Sequence, residues 1–238
     1  MIKKLALLSL SLTAGLVAAD FWAKPYTDWA DKEIQEMISG SPWADRMAVE
    51  TGQRGAIGNP DDKGGPMQGN LTTPITVVWR TALPIRQALA RLQYGAEAAT
   101  NPAGKALLEN EQAVSVVLVS GFPGMFRGDA ADTTKLLADT TLKVKGKPDI
   151  HPTEIQLTGG AAPAGKGGPG GPGGPGGGKG GAKGGGGGGN FDLIMIFPKN
   201  AGLTVDDKEL EFNTKVGKMS IRKKFKLKEM VYNGKLEM

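Results

Sequence analysis

Two hydrophobic rhythms run along this chain. From Met219 the apolar residues Met219, Ile221, Phe225, Leu227 and Val231 hold odd positions, while Lys218, Arg222, Lys224, Lys226 and Lys228 hold even ones. A period of two predicts a strand with one face packed and one solvated. Lys223 and Glu229 break the apolar row, and Asn233-Gly234 then predicts a type I′ hairpin turn into a last strand from Lys235. The helical rhythm is clearest after Pro84, where Ile85, Ala88, Leu89 and Leu92 form one stripe and the proline suits a first turn. A shorter helix is predicted from Asp31 to Ser39 on Ile34, Met37 and Ile38, with Trp29 placed to staple onto Ile34 across Ala30.

Ile75 to Trp79 is β-branched and aromatic and predicts a strand. Ala113 to Val119 is a continuous apolar run but for Ser115, which predicts a strand buried on both faces. A helix near Thr133 to Ala138 and a strand near Thr141 to Val144 follow, with Glu154 to Leu157 placed to pair with that strand. Phe191 to Phe197 is a second strongly apolar strand, and Glu209 to Phe212 a weaker one. Together these elements predict an α+β fold, an antiparallel or mixed β-sheet packed on one or two amphipathic helices.

Two stretches carry no periodicity. Residues 51 to 73, with GNPDDKGGP at the centre, read as a surface loop. Residues 159 to 189 hold 20 of the 37 glycines and nothing apolar larger than proline or alanine, so they cannot bury enough surface to offset chain entropy. They are expected to form a disordered Gly/Pro/Lys-rich insert in a single domain spanning residues 20 to 238.

Residues 1 to 19 change the setting. Lys3 and Lys4 precede an apolar run ending in Val17-Ala18-Ala19, the pattern of a signal peptide cleaved after Ala19. The run is shorter than a spanning helix, and no second such segment follows, so an exported periplasmic or extracellular protein is expected, with no integral membrane segment after cleavage. Cysteine is absent, which excludes disulfides and thiolate chemistry. The positive charge is local. The last 24 residues carry a net +6 and the insert +3, so the basic balance is no nucleic-acid signature.

Candidate chemistry is sparse. His151 is the single histidine and sits before Pro152, which leaves no multi-imidazole metal site and no GxSxG elbow for a triad. His151 therefore reads as an exposed or hydrogen-bonded loop residue. The acids Asp61-Asp62, Asp129/Asp132 and Asp206-Asp207 are the candidates for a carboxylate-dependent hydrolase, although each pair sits in a turn, where aspartate commonly bonds backbone. NPDDKGG lacks calcium-loop spacing, no phosphate-binding loop occurs outside the low-complexity glycines, and no cofactor is expected. Trp22, Trp29 and Trp43 offer either a sugar-stacking platform or, more in keeping with their size, anchors for the N-terminal segment.

The basic row Lys218, Arg222, Lys224, Lys226 and Lys228 is the one surface feature with a sign. It is either a contact for an anionic envelope polymer or protein partner, or a solvated strand face whose lysines block edge pairing. The strings KPYTDW and SPW near the start, VVWRTALPIRQA, FPKN after FDLIMIF, and KKFKLKEMVYNGKLEM resemble a group of exported bacterial proteins of acidobacterial type, sometimes labelled GWxTD-domain-like. The resemblance implies export and a shared fold, and carries no activity. Three function classes follow: a non-catalytic envelope protein binding a partner or anionic surface, a carboxylate hydrolase, or an assembly protein acting through the glycine-rich insert.

Overall fold

A computed structural model describes residues 20–53, 70–109, 113–159, 189–199 and 202–238. Two 3-10 turns, Phe21–Ala23 and Tyr26–Asp28, lead into α1 (Asp31–Met37), β1 (Gly40–Ser41), β2 (Ala44–Gln53), β3 (Asn70–Trp79), α2 (Leu83–Tyr94), α3 (Pro102–Glu109) and β4 (Val114–Phe122). There follow α4 (Arg127–Ala130), α5 (Thr133–Asp139), β5 (Thr141–Lys143), β6 (Glu154–Gly159), β7 (Phe191–Pro198), β8 (Glu209–Val216) and β9 (Met219–Lys226). A small hairpin of β10 (Val231–Tyr232) and β11 (Lys235–Leu236) closes the described chain.

The architecture is α+β. A six-stranded sheet has the order β1-β2-β3-β4-β7-β6, and a three-stranded sheet the order β5-β8-β9. Every pairing is antiparallel. Register sorts the large sheet into two faces. Val77 pairs with Val119 and Val119 with Leu193, while Trp79 pairs with Val117 and Val117 with Met195, so these side chains share an inner face. All six are buried there. The alternate positions, Val78 beside Leu118 beside Ile194, share the outer face.

The small sheet covers the inner face. Leu210, Phe212 and Val216 of β8 and Met219, Ile221 and Phe225 of β9 are all buried, and the rings of Trp79 and Phe225 meet edge to face at 5.7 Å. Burying each such side chain contributes about 1.5–3 kcal/mol. Lys223, which breaks the apolar row in the sequence, stands on that inner-facing side of β9 and reaches across to Asp45 of β2 at 2.7 Å.

The N-terminal aromatic residues tie the chain start into the same core. Trp29 and Trp43 are buried. Trp22 packs edge-on against Trp43 at 5.9 Å, Phe21 against Trp29 at 5.7 Å, and Trp43 against Tyr232 at 6.2 Å. The Trp43 indole N–H donates to the Glu237 carbonyl at 2.9 Å. The tryptophans therefore anchor the segment, Trp29 and Trp43 fully buried and Trp22 half-buried against them. The α1 start is capped from one side: Ala30 has no acceptor, but Glu33 Oε2 accepts the Ala30 N–H at 2.7 Å and holds Lys24 at the same distance. That Lys24 bond, with the backbone bond second, holds the Glu33 carboxyl below the usual range.

Several sequence expectations are corrected. Residues 51–53 and 70–73 are ladder, not loop: Glu50 pairs with Thr72 and Gln53 with Asn70 across a bulge, leaving the NPDDKGG stretch outside the described residues. The strand β6 pairs with β7 rather than β5, because the insert, which also lies outside the described residues apart from its ends, joins two halves of one hairpin with Gly159 opposite Phe191. Leu92 turns outward at 47% exposure, since the buried side of α2 runs through Pro84, Ile85, Gln87, Ala88 and Ala90. The strand β4 is fully buried on only one face; Val114, Val116 and Leu118 on the other are half-exposed.

Candidate binding trough

That half-exposed outer face is the floor of a trough. Over it lie α2 and α3, and two adjoining compartments open between helices and sheet. The larger, about 690 Å³, is lined by Leu89, Tyr94, Ala106, Leu107, Val116 and Ile194 together with Arg80, Thr81, Arg86, Gln93 and Ala103. The smaller, about 290 Å³, is lined by Gln35, Ile38, Ser39, Arg46, Thr76 and Ser120 around Val78, Ile85 and Leu118. Arg80 and Leu89 line both, so the compartments are two ends of one depression. Its floor is apolar because β4 and β7 carry aliphatic side chains on both faces while only one face has a sheet to cover it.

The local sequence fixes the walls. In α2, Pro84 sits in the first turn, and Ile85 and Ala88 bury themselves on the sheet while Leu89 overhangs the trough. The helix α3 begins at Pro102, with Asn101 Oδ1 accepting the Ala103 and Gly104 N–H groups at 2.9 and 3.3 Å. Gly104 lets it approach the chain before it: a Cβ there would stand 2.4 Å from the Ala98 carbonyl oxygen. Arg86 spans the two helices by donating to the Leu107 and Leu108 carbonyls at 3.2 and 3.0 Å. Thr81 Oγ1 accepts the Val116 N–H at 3.0 Å and pins β4 to the end of β3.

The electrostatics of the trough have one sign. No Asp or Glu is among the described residues lining either compartment. The nearest acid on the same face by register, Asp192 opposite Ser120, accepts the Gly121 N–H at 3.1 Å. Of the described arginines, Arg86, Arg91, Arg127 and Arg222 all donate to protein oxygens. Arg46 and Arg80 make no side-chain hydrogen bond or ion pair with the described residues, and both line the trough. Arg46 lies opposite Thr76 in the ladder of β2 with β3, and Arg80, directly after Trp79, is four residues or about 13 Å further along from Thr76, so the two border the smaller compartment from different sides.

The basic row of β9 is different in character. Arg222 Nε donates to Asn213 Oδ1 at 3.1 Å and lies 3.5 Å from Glu211. Lys224 meets Glu209 at 3.2 Å, and Lys226 meets Glu229 at 2.8 Å, a bond that raises the lysine pKa. Lys218 stands in the turn before β9 and Lys228 in the turn after it. The strand is an edge of its sheet, where lysines oppose pairing with another chain. Because three of the five cations face acids of the same surface, the row presents much less field than its sequence suggests.

Three of the acids singled out in the sequence, Asp129, Asp132 and Asp207, make structural contacts. Asp132 Oδ1 caps α5 by accepting the Lys135 N–H at 3.0 Å. Asp207 takes Lys147 at 2.7 Å and the Thr204 N–H at 2.7 Å, and the lysine bond leads in holding its carboxyl below the usual range. Asp129 packs on Gly217, where a Cβ would fall 2.2 Å from its Oδ2. Asp61 and Asp62 lie outside the described residues. His151 is exposed, with Nδ1 3.3 Å from the Leu137 carbonyl. Among the described residues no group of three or more His, Asp or Glu side chains is placed to hold a metal, and no helix is long and apolar enough to cross a membrane.

The chain matches no family model, no curated protein and no solved structure.

Proposed function

We propose that this chain is an exported, non-catalytic binding protein, and that its ligand, apolar with an anionic group, lies in the trough. The observation that carries this reading is that two guanidinium groups with no side-chain partner among the described residues border an aliphatic floor whose described lining holds no carboxylate. Both arginines are exposed, so their donors are open to an anionic group that enters the trough. A guanidinium keeps its proton at any physiological pH, so these residues attract and orient charge and do not exchange protons with a substrate. The combined space falls in the range of about 300–1,000 Å³ usual for small-molecule sites. Export rests on the pattern of residues 1 to 19 and on the resemblance to exported bacterial proteins. Envelope proteins that carry or sense apolar molecules need such a site, because water outside the membrane dissolves those molecules poorly.

The test is the binding of anilinonaphthalene sulfonate, an apolar anion, to residues 20–238. Wild type is expected to enhance its fluorescence at one saturable site, and the double variant Arg46→Gln, Arg80→Gln to bind at least tenfold more weakly with an unchanged near-UV circular dichroism spectrum. Equal binding by both proteins would remove the trough as the site.

A further inference from the structure

The trough is graded along its length, and the gradient names a ligand class. Around Arg46 the small compartment exposes hydroxyl and amide side chains, Ser39, Thr76, Ser120 and Gln35. Beyond Leu89 the large compartment runs over Val116 and Ile194 to Ala106 and Leu107, an apolar path with Thr81, Arg86 and Gln93 also in the lining. A ligand matching this gradient has a small anionic head and a long apolar tail.

The backbone disfavours an extended peptide as the occupant. A peptide laid in the trough would bring an N–H and a C=O every residue, and each needs a partner when removed from water. The floor presents side chains only, because the N–H and C=O groups of β3, β4 and β7 are engaged in the ladders that hold Val78 beside Leu118 and Leu118 beside Ile194. The Thr81 hydroxyl is already taken by the Val116 N–H. An alkyl chain brings no such groups.

We propose that the trough binds a single-chain fatty carboxylate, its head between Arg46 and Arg80 and its chain over Leu89, Val116 and Ile194 toward Leu107. This rests on the trough being the binding site as set out above. A single guanidinium fork matches the two oxygens of one carboxylate, Arg46 and Arg80 both border the compartment that would receive it, and the neighbouring hydroxyls of Ser120 and Thr76 add donors without adding charge. The chain gains affinity by covering aliphatic surface that the helices leave open.

The experiment is a titration of octanoate, decanoate, dodecanoate and tetradecanoate, each below its micellar concentration, into residues 20–238, read by calorimetry and by displacement of anilinonaphthalene sulfonate. Each added methylene is expected to tighten binding about two- to fourfold until the trough is full. Arg46→Gln with Arg80→Gln is expected to weaken dodecanoate about ten- to hundredfold, the value of losing charge-assisted bonds, while leaving dodecanol unaffected. Leu107→Glu, at the exposed far wall, is expected to weaken tetradecanoate and spare octanoate. Affinity independent of chain length, or dodecyltrimethylammonium bound as tightly as dodecanoate, would overturn the proposal. If the sulfonate probe binds in an arginine-dependent way and no carboxylate displaces it, the trough remains a site and the fatty carboxylate falls. Displacement by an acidic amphipathic peptide alone would transfer the site to a protein partner.

Discussion

Replacing Phe225 by alanine tests whether the two sheets share one core, the arrangement that leaves only the outer face for a ligand. Phe225 is 2% exposed and meets Trp79 edge to face at 5.7 Å. Truncating a fully buried phenylalanine removes its transfer energy and leaves a cavity, together about 3–5 kcal/mol. Part of that loss is the ring pairing itself, worth about 0.5–1.5 kcal/mol beyond area. In a chain of this size each kcal/mol lowers the melting temperature about 2–4 °C, so a fall on the order of 10 °C is expected. The milder Ile221→Val, at a neighbouring inner position 1% exposed, is expected to cost about 0.5–1.5 kcal/mol and guards against total loss of fold. Urea unfolding followed by tryptophan fluorescence reads both. A loss below about 1 kcal/mol for Phe225→Ala would mean that β9 does not pack on the large sheet, and the assignment of inner and outer faces would fail with it.

Other expectations follow from single contacts. Gly121 has φ of 101° and a Cβ there would stand 2.7 Å from the Pro74 carbonyl oxygen, so Gly121→Ala is expected to cost at least about 1–2 kcal/mol in a thermal melt; an unchanged melt would contradict the bulge. Tyr232 donates to Gln87 Oε1 at 3.0 Å in the interior, and Tyr232→Phe is expected to cost about 1–3 kcal/mol by leaving that oxygen unpaired. Burial, the larger cause, raises the Tyr232 pKa, so its contribution is whole below the ordinary phenol value of about 10 and is lost as pH rises through the folded value; the phenylalanine variant should lose less stability on that alkaline limb. Glu33 and Asp207 are depressed, so their contributions are present above the ordinary carboxylate range and disappear as pH falls through the folded values, and Glu33→Gln with Asp207→Asn should flatten the acid limb of a urea-midpoint profile. Gly159 pairs with Phe191, so deleting residues 162–186 is expected to leave the melting temperature within a few degrees of wild type and dodecanoate binding unchanged; a loss of either would give the insert a role in fold or site.

The class of fold and most of its strands were legible in the two hydrophobic rhythms, because β9 and the end of β3 carry their burial pattern openly. The strand β2 was hidden. Its inner-face residues Met47 and Val49 are interleaved with Arg46, Ala48 and Glu50, and the loop-like glycine and asparagine that follow blur its end, so only the ladder to β3 reveals it. The helix α3 had its signals, Asn101 as cap and Pro102 at the start, but only eight residues in which to show a period. The trough was illegible for a different reason. A nearly unbroken apolar run such as Ala113 to Val119 looks the same whether both faces are covered or one, and only the positions of α2 and the small sheet decide which. Arg46 and Arg80 lie far apart in sequence and are joined by the pairing of β2 with β3. The row from Lys218 to Lys228, by contrast, was conspicuous in sequence because its acidic partners Glu209 and Glu211 sit on the adjacent strand, out of step with it along the chain.

The most direct test of the trough is methyl NMR of residues 20–238, labelled at isoleucine, leucine and valine, during titration with dodecanoate. The account predicts saturable shifts at Leu89, Val116, Leu118 and Ile194, with Ile221 and Leu210 on the far side of the core unmoved. Shifts centred on the β9 surface, or none at the outer face while the ligand binds, would contradict it.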